Sequence, residues 1–189
     1  MNLHGTTILC IRDQNSAIMI GDGQVTLGNS AIKNTAQKLV KATSYSGECI
    51  IGIAGATSIG IKMRNMLVKI LENTTLSRAC EKVAKQFNPG EPLHGGQAML
   101  IVTNIDQIFI LTGQGDILIP EDNAFAIGSG GNEARAATLA SLNVCKTYNL
   151  IPDISSIARI SMRYVAEICI YTNSNFQEIL ITKNSSLKN

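Results

Sequence analysis

The 189-residue chain contains no tryptophan, two histidines and four prolines, and only 16% of it is charged, well below the roughly 25% usual for a soluble domain. Each shortage narrows the field. Five cysteines (Cys10, Cys49, Cys80, Cys145 and Cys169), with no CxxC pair and two histidines to help, are a poor start for a zinc site. An odd, scattered set reads instead as reduced, mostly buried thiols. A net charge of +2 without a Lys/Arg block leaves no electrostatic footprint for nucleic acid or an anionic membrane surface. No apolar run approaches the roughly 20 residues that span a bilayer. Met1 to Gly5 is too short to be a signal or transit peptide. A cytoplasmic location is the expectation, with a mitochondrial matrix setting the alternative if an upstream leader has been trimmed.

What is present is a hydrophobic content of 45%, enough for one domain with a full core. So little charge implies a surface that is partly apolar. Burial in an oligomer would account for that, and so would a larger than usual monomer core.

Hydrophobic patterning divides the chain into blocks. Thr7 to Ile11 and Ser16 to Gly21 flank the polar turn Asp13-Gln14-Asn15 and read as a β-hairpin. Further strand-like runs are Cys49 to Ala54, Met99 to Thr103, Ile108 to Thr112, Phe125 to Ile127 and Ile179 to Thr182, separated by Gly, Asn or Asp. Helical spacing places Ile59, Met63, Met66, Leu67 and Ile70 on one face, and Leu76, Cys80, Val83, Ala84 and Phe87 on another. A second helix pair is expected from Asn132 to about Cys145 and from Ile154 to Ile170, with Ile157, Ile160, Tyr164, Val165 and Ile168 on one stripe. Strands and helix pairs in groups, rather than strict alternation, predict an α+β fold of antiparallel sheets faced by helices. Asn173 to Asn175 reads as a loop and Lys183 to Asn189 as a frayed tail.

Four segments put reactive or small residues at strand edges. Gly5-Thr6-Thr7 matters if Thr6 becomes the N-terminus, because a free α-amine with a pKa near 8 is a suitable base for the threonine hydroxyl. Taken alone, two threonines opening a strand are ordinary. In Gly21-Asp22-Gly23-Gln24 the carboxylate ends the second strand, where it is either functional or a turn residue bonding nearby N–H groups. Lys38 is an isolated lysine in a stretch returning to extended structure, and such a residue is usually a solvated charge. The glycine turns Gly52-Ile53-Ala54-Gly55 and Gly128-Ser129-Gly130-Gly131 complete the set; the second precedes a helix but lacks a Walker lysine and Rossmann spacing.

In order and spacing these segments resemble the HslV (ClpQ) peptidases, bacterial relatives of proteasome β-subunits. The resemblance rests on Gly5-Thr6-Thr7-Ile8, on the block from Gly21 to Gly28, on Ala54-Gly55, on Ala126 to Asn132 and on Ile168 to Asn173, and spans roughly Gly5 to Asn173. It implies an N-terminal nucleophile (Ntn) hydrolase fold, a four-layer αββα sandwich of antiparallel sheets. It also implies a propeptide over residues 1–5 removed autocatalytically or by a neighbouring subunit, a peptidase domain over residues 6–182 and a flexible tail over 183–189. Carried onto this chain, Thr6 is the nucleophile and its freed amine the base. Lys38 stabilises negative charge at the threonine oxygen, Asp22 pairs that ammonium, the N–H of Gly55 serves as oxyanion donor, and Ser129 completes the bonds around the amine. Backbone carbonyls of Ala166, Cys169 and Thr172 match a structural sodium site, and no nucleotide is bound. The implied partners are further copies of the chain in a double ring of hexamers, an HslU (ClpY)-type ATPase cap and unfolded protein substrates.

The chain also departs from the family pattern. Near Ala56 it has Ile59-Gly60-Ile61-Lys62-Met63 in place of an acidic, phenylalanine-rich stretch, Val40-Lys41 replaces an arginine pair, and two residues are inserted within Thr43 to Gly47. Asn88 to Gly96 replaces a basic helical segment. The reading is a threonine endopeptidase; the competing ones are a catalytically silent ring subunit and an Ntn amidohydrolase acting on small amides.

Overall fold

A computed structural model of the chain describes residues 3–55, 57–87 and 98–183. Ala56, the Asn88 to Gly96 segment and the tail beyond Lys183 lie outside the described residues. The hairpin is formed by β2 (Thr7–Arg12) and β3 (Ser16–Asp22), and Asp13 closes its turn by accepting from the backbone of Asn15 and Ser16. These strands sit in the middle of a four-stranded antiparallel sheet, flanked by β11 (Ala124–Gly128) and β12 (Phe176–Thr182). A second, five-stranded antiparallel sheet runs β10 (Ile117–Leu118), β9 (Ile108–Thr112), β8 (Met99–Thr103), β7 (Gly47–Ala54) and β6 (Leu39–Ser44). A small sheet joins β1 (Leu3–His4), β4 (Val25–Leu27) and β5 (Ser30–Lys33).

Side chains alternate across each strand, and the core divides accordingly. Ile8 and Cys10 of β2 point with Ile50, Ile101 and Ile110 into a core between the two sheets. Leu9 and Ile11 point the other way, onto helices α3 (Gly131–Thr147) and α4 (Ile154–Ile168). On the outer face of the five-stranded sheet, Ile51, Leu100, Val102 and Leu111 pack on α1 (Thr57–Leu71) and α2 (Leu76–Gln86). The layer order is helix, sheet, sheet, helix. This is the αββα sandwich expected of an Ntn fold, and both inner strands are apolar on both faces because both faces are covered.

One expectation is corrected. In α4 the core face is Ile154, Ile157, Ala158, Ser161, Met162 and Val165. Ile160, Tyr164 and Ile168, expected on the same stripe, are 47%, 59% and 67% exposed. They are spaced four apart and form a separate apolar stripe along one flank of the core face. Expected bounds elsewhere hold to within a few residues: α4 ends at Ile168 rather than Ile170, and β12 starts at Phe176 rather than Ile179.

Candidate active site

The register of the hairpin assembles the site. Ile8 pairs with Gly21, so the start of β2 and the end of β3 lie side by side. Gly128 of β11 pairs with Thr7 on the other flank. In the facing sheet Leu39 pairs with Gly52, and the Ile53 N–H donates to the Lys38 carbonyl at 3.1 Å, so Lys38 and the Ala54-Gly55 turn share one end. Thr6, Asp22, Lys38, Gly55 and Ser129, scattered in sequence, are thereby brought to one edge of both sheets.

Asp22 and Lys38 form its charged centre. They are 1% and 8% exposed, and Lys38 Nζ donates to Asp22 Oδ1 at 2.8 Å, to the Gln24 carbonyl at 2.7 Å and to the Gly5 carbonyl at 3.2 Å. All three ammonium protons therefore have acceptors, which makes the burial of the charge tolerable. Burial pushes the Lys38 ammonium below its ordinary pKa of 10.5, against the opposing pull of Asp22. The carboxylate is held by the backbone as well. Its Oδ1 accepts from the Thr7 N–H at 2.8 Å, and its Oδ2 from Gln24 at 2.9 Å and Asn173 at 3.3 Å.

Thr6 is fixed at its carbonyl, which accepts from the Ser129 N–H at 2.8 Å. Ser129 thus meets Thr6 through its main chain, and its exposed side chain makes no bond to Thr6 among the described residues. Gly128, with φ of +92°, has to be glycine because a Cβ there would land on the Thr6 carbonyl. The Thr6 hydroxyl donates to the Gly5 carbonyl at 2.5 Å, so hydroxyl and ammonium converge on the oxygen of the peptide bond preceding Thr6. Gly5 itself has φ of +99°, and a Cβ on it would come within 2.9 Å of Thr26 Oγ1. A cleft of about 130 Å³ opens beside Thr6, with Gly55 and Lys38 also at its wall.

Several supporting residues were not legible beforehand. Gln177 of β12 reaches across to the other sheet: its Oε1 accepts from the N–H groups of Lys38 and Leu39 at 3.0 and 3.1 Å, and its Nε2 donates to the Leu39 carbonyl at 3.0 Å. It fixes the backbone carrying the lysine. Thr172 Oγ1 lies 2.7 Å from Thr7 Oγ1, which in turn accepts from the Gly130 N–H at 2.9 Å. Gln24 Nε2 donates to the Ile170 carbonyl at 2.9 Å. The loop after α4 is therefore tied to the site from several sides. Burial pushes the thiols of Cys10 and Cys80 up to about 12 and that of Cys49 up to about 11, so these three stay protonated.

For the sodium ion, Ala166 lies in the last turn of α4, Cys169 caps it and Thr172 follows the turn. The final helical bond runs from the Cys169 N–H to the Val165 carbonyl, and the Cys169 carbonyl accepts from Thr172 N–H at 3.0 Å. Carbonyls at a helix end, all neutral oxygens, are a donor set of the kind a hard monovalent cation takes.

Residues 2–181 match the family model described as proteasome subunit. The chain is 41% identical to the ATP-dependent protease subunit HslV of Paramagnetospirillum magneticum, covering 91% of this chain and 92% of that protein. It is 42% identical to the HslV of Neorickettsia sennetsu, covering 92% and 90%. Among solved structures it resembles eukaryotic HslV from Trypanosoma brucei, with a TM-score of 0.78 and 31% identity over 94% of this chain and 99% of that one. The fold is shared with Thiobacillus denitrificans BPH in complex with epoxomicin, at a TM-score of 0.72 and 14% identity, over 93% of this chain and 98% of that one.

Proposed function

The chain belongs to the proteasome-subunit family, among its HslV proteases, and on that premise we propose that Thr6 is the nucleophile of an N-terminal threonine endopeptidase, the protease subunit of an ATP-dependent complex. The observation that carries this reading is the convergence on one peptide bond. Lys38 Nζ and Thr6 Oγ1 both contact the Gly5 carbonyl, and Lys38 is held there by Asp22.

The first reaction is maturation. Thr6 Oγ1 attacks the Gly5 carbonyl carbon, and the new C–O bond forms while the Gly5–Thr6 C–N bond breaks. The hydroxyl proton ends on the departing nitrogen, and the Lys38 ammonium steadies the negative charge on the Gly5 oxygen. Water then hydrolyses the ester, releasing residues 1–5 as a carboxylate and leaving Thr6 with a free amine. In the mature enzyme that amine takes the Oγ1 proton during attack on a substrate carbonyl and passes it to the leaving amine. The N–H of Gly55 is the oxyanion donor, and loss of one such donor costs about 3 kcal/mol in transition-state stabilisation. Ser129 acts through its backbone bond to Thr6. Sodium, held by the carbonyls of Ala166, Cys169 and Thr172, would supply rigidity to the loop that carries Thr172 and Asn173.

The chain is a subunit of an oligomeric protease that works with an ATPase. The finer arrangement in our reading is a double ring of hexamers capped by an HslU-type ATPase that delivers unfolded proteins, in a bacterial cytoplasm. A silent ring subunit is not favoured, because the charged pair is intact and aimed at the Thr6 peptide. The test is peptide hydrolysis by assembled protein: Thr6→Ala abolishes it, whereas Thr6→Ser retains a measurable fraction. Equal rates in wild type and Thr6→Ala would refute the assignment.

A further inference from the structure

The cleft beside Thr6 has walls of one character and a rim of another. Val25, Ala36, Ile53 and Ile61 line it with apolar surface, and Arg64 of α1 joins them. Its two basic groups differ in how they are satisfied. Lys38 spends all three protons on Asp22 and two carbonyls. Arg64, half-buried, gives Nε and Nη2 to the neutral amide oxygen of its neighbour Asn65, at 3.2 and 3.0 Å. Among the described residues its guanidinium has no carboxylate partner; the ion pairs there use Lys38, Lys41, Arg135 and Arg159. A guanidinium has five N–H donors in a planar fork suited to a carboxylate. Here it retains free donors next to apolar walls.

We infer that Arg64 selects acidic side chains at the substrate residue whose carbonyl Thr6 attacks, with glutamate favoured over its neutral isostere and lysine rejected. The attacked carbonyl must sit at Thr6 Oγ1, so the side chain of that residue enters the cleft lined by the same threonine. A glutamate fits on both counts, its methylenes against Val25, Ala36 and Ile53 and its carboxylate on the guanidinium. A lysine would bring a third cation to a site that already holds two. The apolar walls leave leucine a substrate. The inference rests on the threonine-peptidase reading and adds to it the class of side chain cleaved.

The experiment uses matured, assembled enzyme and four fluorogenic peptides identical except for Glu, Gln, Leu or Lys at the cleaved position, with kcat/KM measured at low and high salt. The expected glutamate-to-glutamine ratio is about tenfold, the scale of one added pocket interaction, and it shrinks as salt rises. Arg64→Met brings that ratio to about one, and Arg64→Glu raises lysine above glutamine. A ratio of one in the wild type, or a ratio that survives Arg64→Met, overturns the inference while leaving Thr6-dependent hydrolysis of the leucine peptide intact. Absence of Thr6-dependent hydrolysis for all four peptides would overturn the peptidase reading and the inference with it.

Discussion

Asp22 uses both carboxylate oxygens, on the Lys38 ammonium and on three backbone N–H groups, so it is both counter-ion and anchor for the start of β2. Removing one partner of a buried pair strands the other charge. Asp22→Ala is therefore expected to cost about 3–5 kcal/mol of stability, read by denaturant unfolding, together with loss of maturation. Gly5 gives a second test at this scale. Its φ of +99° and the close approach of Thr26 disfavour any side chain; strain of about 1–3 kcal/mol should make Gly5→Ala cleave itself at least tenfold more slowly, followed by mass spectrometry over time. A third prediction concerns pH. The Thr6 amine must be neutral, and the adjacent ammonium disfavours its protonated form, so activity rises with pH through a limb at or below the usual α-amine value of about 8. Lys38 must stay charged, and since burial lowers its pKa, activity falls again through a limb below 10.5. A kcat/KM profile still climbing at pH 10.5 would contradict the assigned role. Thr6, Asp22 and Lys38 were legible only as parts of one ordered set, because each alone has an ordinary structural explanation. Gln177 gave no signal, being one polar residue in a strand, and its purpose exists only across two sheets.

At the scale of elements, periodicity located all four long helices and most strands, because their core faces are continuous. β1, β4, β5, β6 and β10 escaped: β1, β4 and β10 have two or three residues, β5 is fully exposed, and β6 mixes buried and exposed positions around charged Lys41. The α4 stripe was misassigned for a different reason. Hydropathy reports that Ile160, Tyr164 and Ile168 are apolar but not which side of the helix meets its own core. The contact between β12 and β6 is where an element acts on chemistry. Gln177→Leu leaves the Lys38 and Leu39 N–H groups without acceptors, costing about 1–3 kcal/mol for a buried donor. The expected result is a fall in kcat larger than any rise in KM, with faster amide exchange at Lys38 and Leu39. Gln177→Glu, which keeps the acceptor oxygens, should recover part of the rate.

On the whole molecule, the exposed stripe Ile160, Tyr164, Ile168 continues to Ile170 and lies on the helix layer that also exposes Tyr148 and Ile151. The composition left oligomer burial and an enlarged core both open, and apolar exposure of this kind favours the first. Tyr164→Glu with Ile168→Glu should shift sedimentation from ring-sized particles toward smaller species. The chemistry has one requirement, that residues 1–5 be removed from Thr6. The most direct measurement is therefore the intact mass of the purified, assembled protein beside that of Thr6→Ala. The account predicts a wild-type chain that begins at Thr6 and a variant that keeps its first five residues. An assembled wild type that still carries them would contradict it.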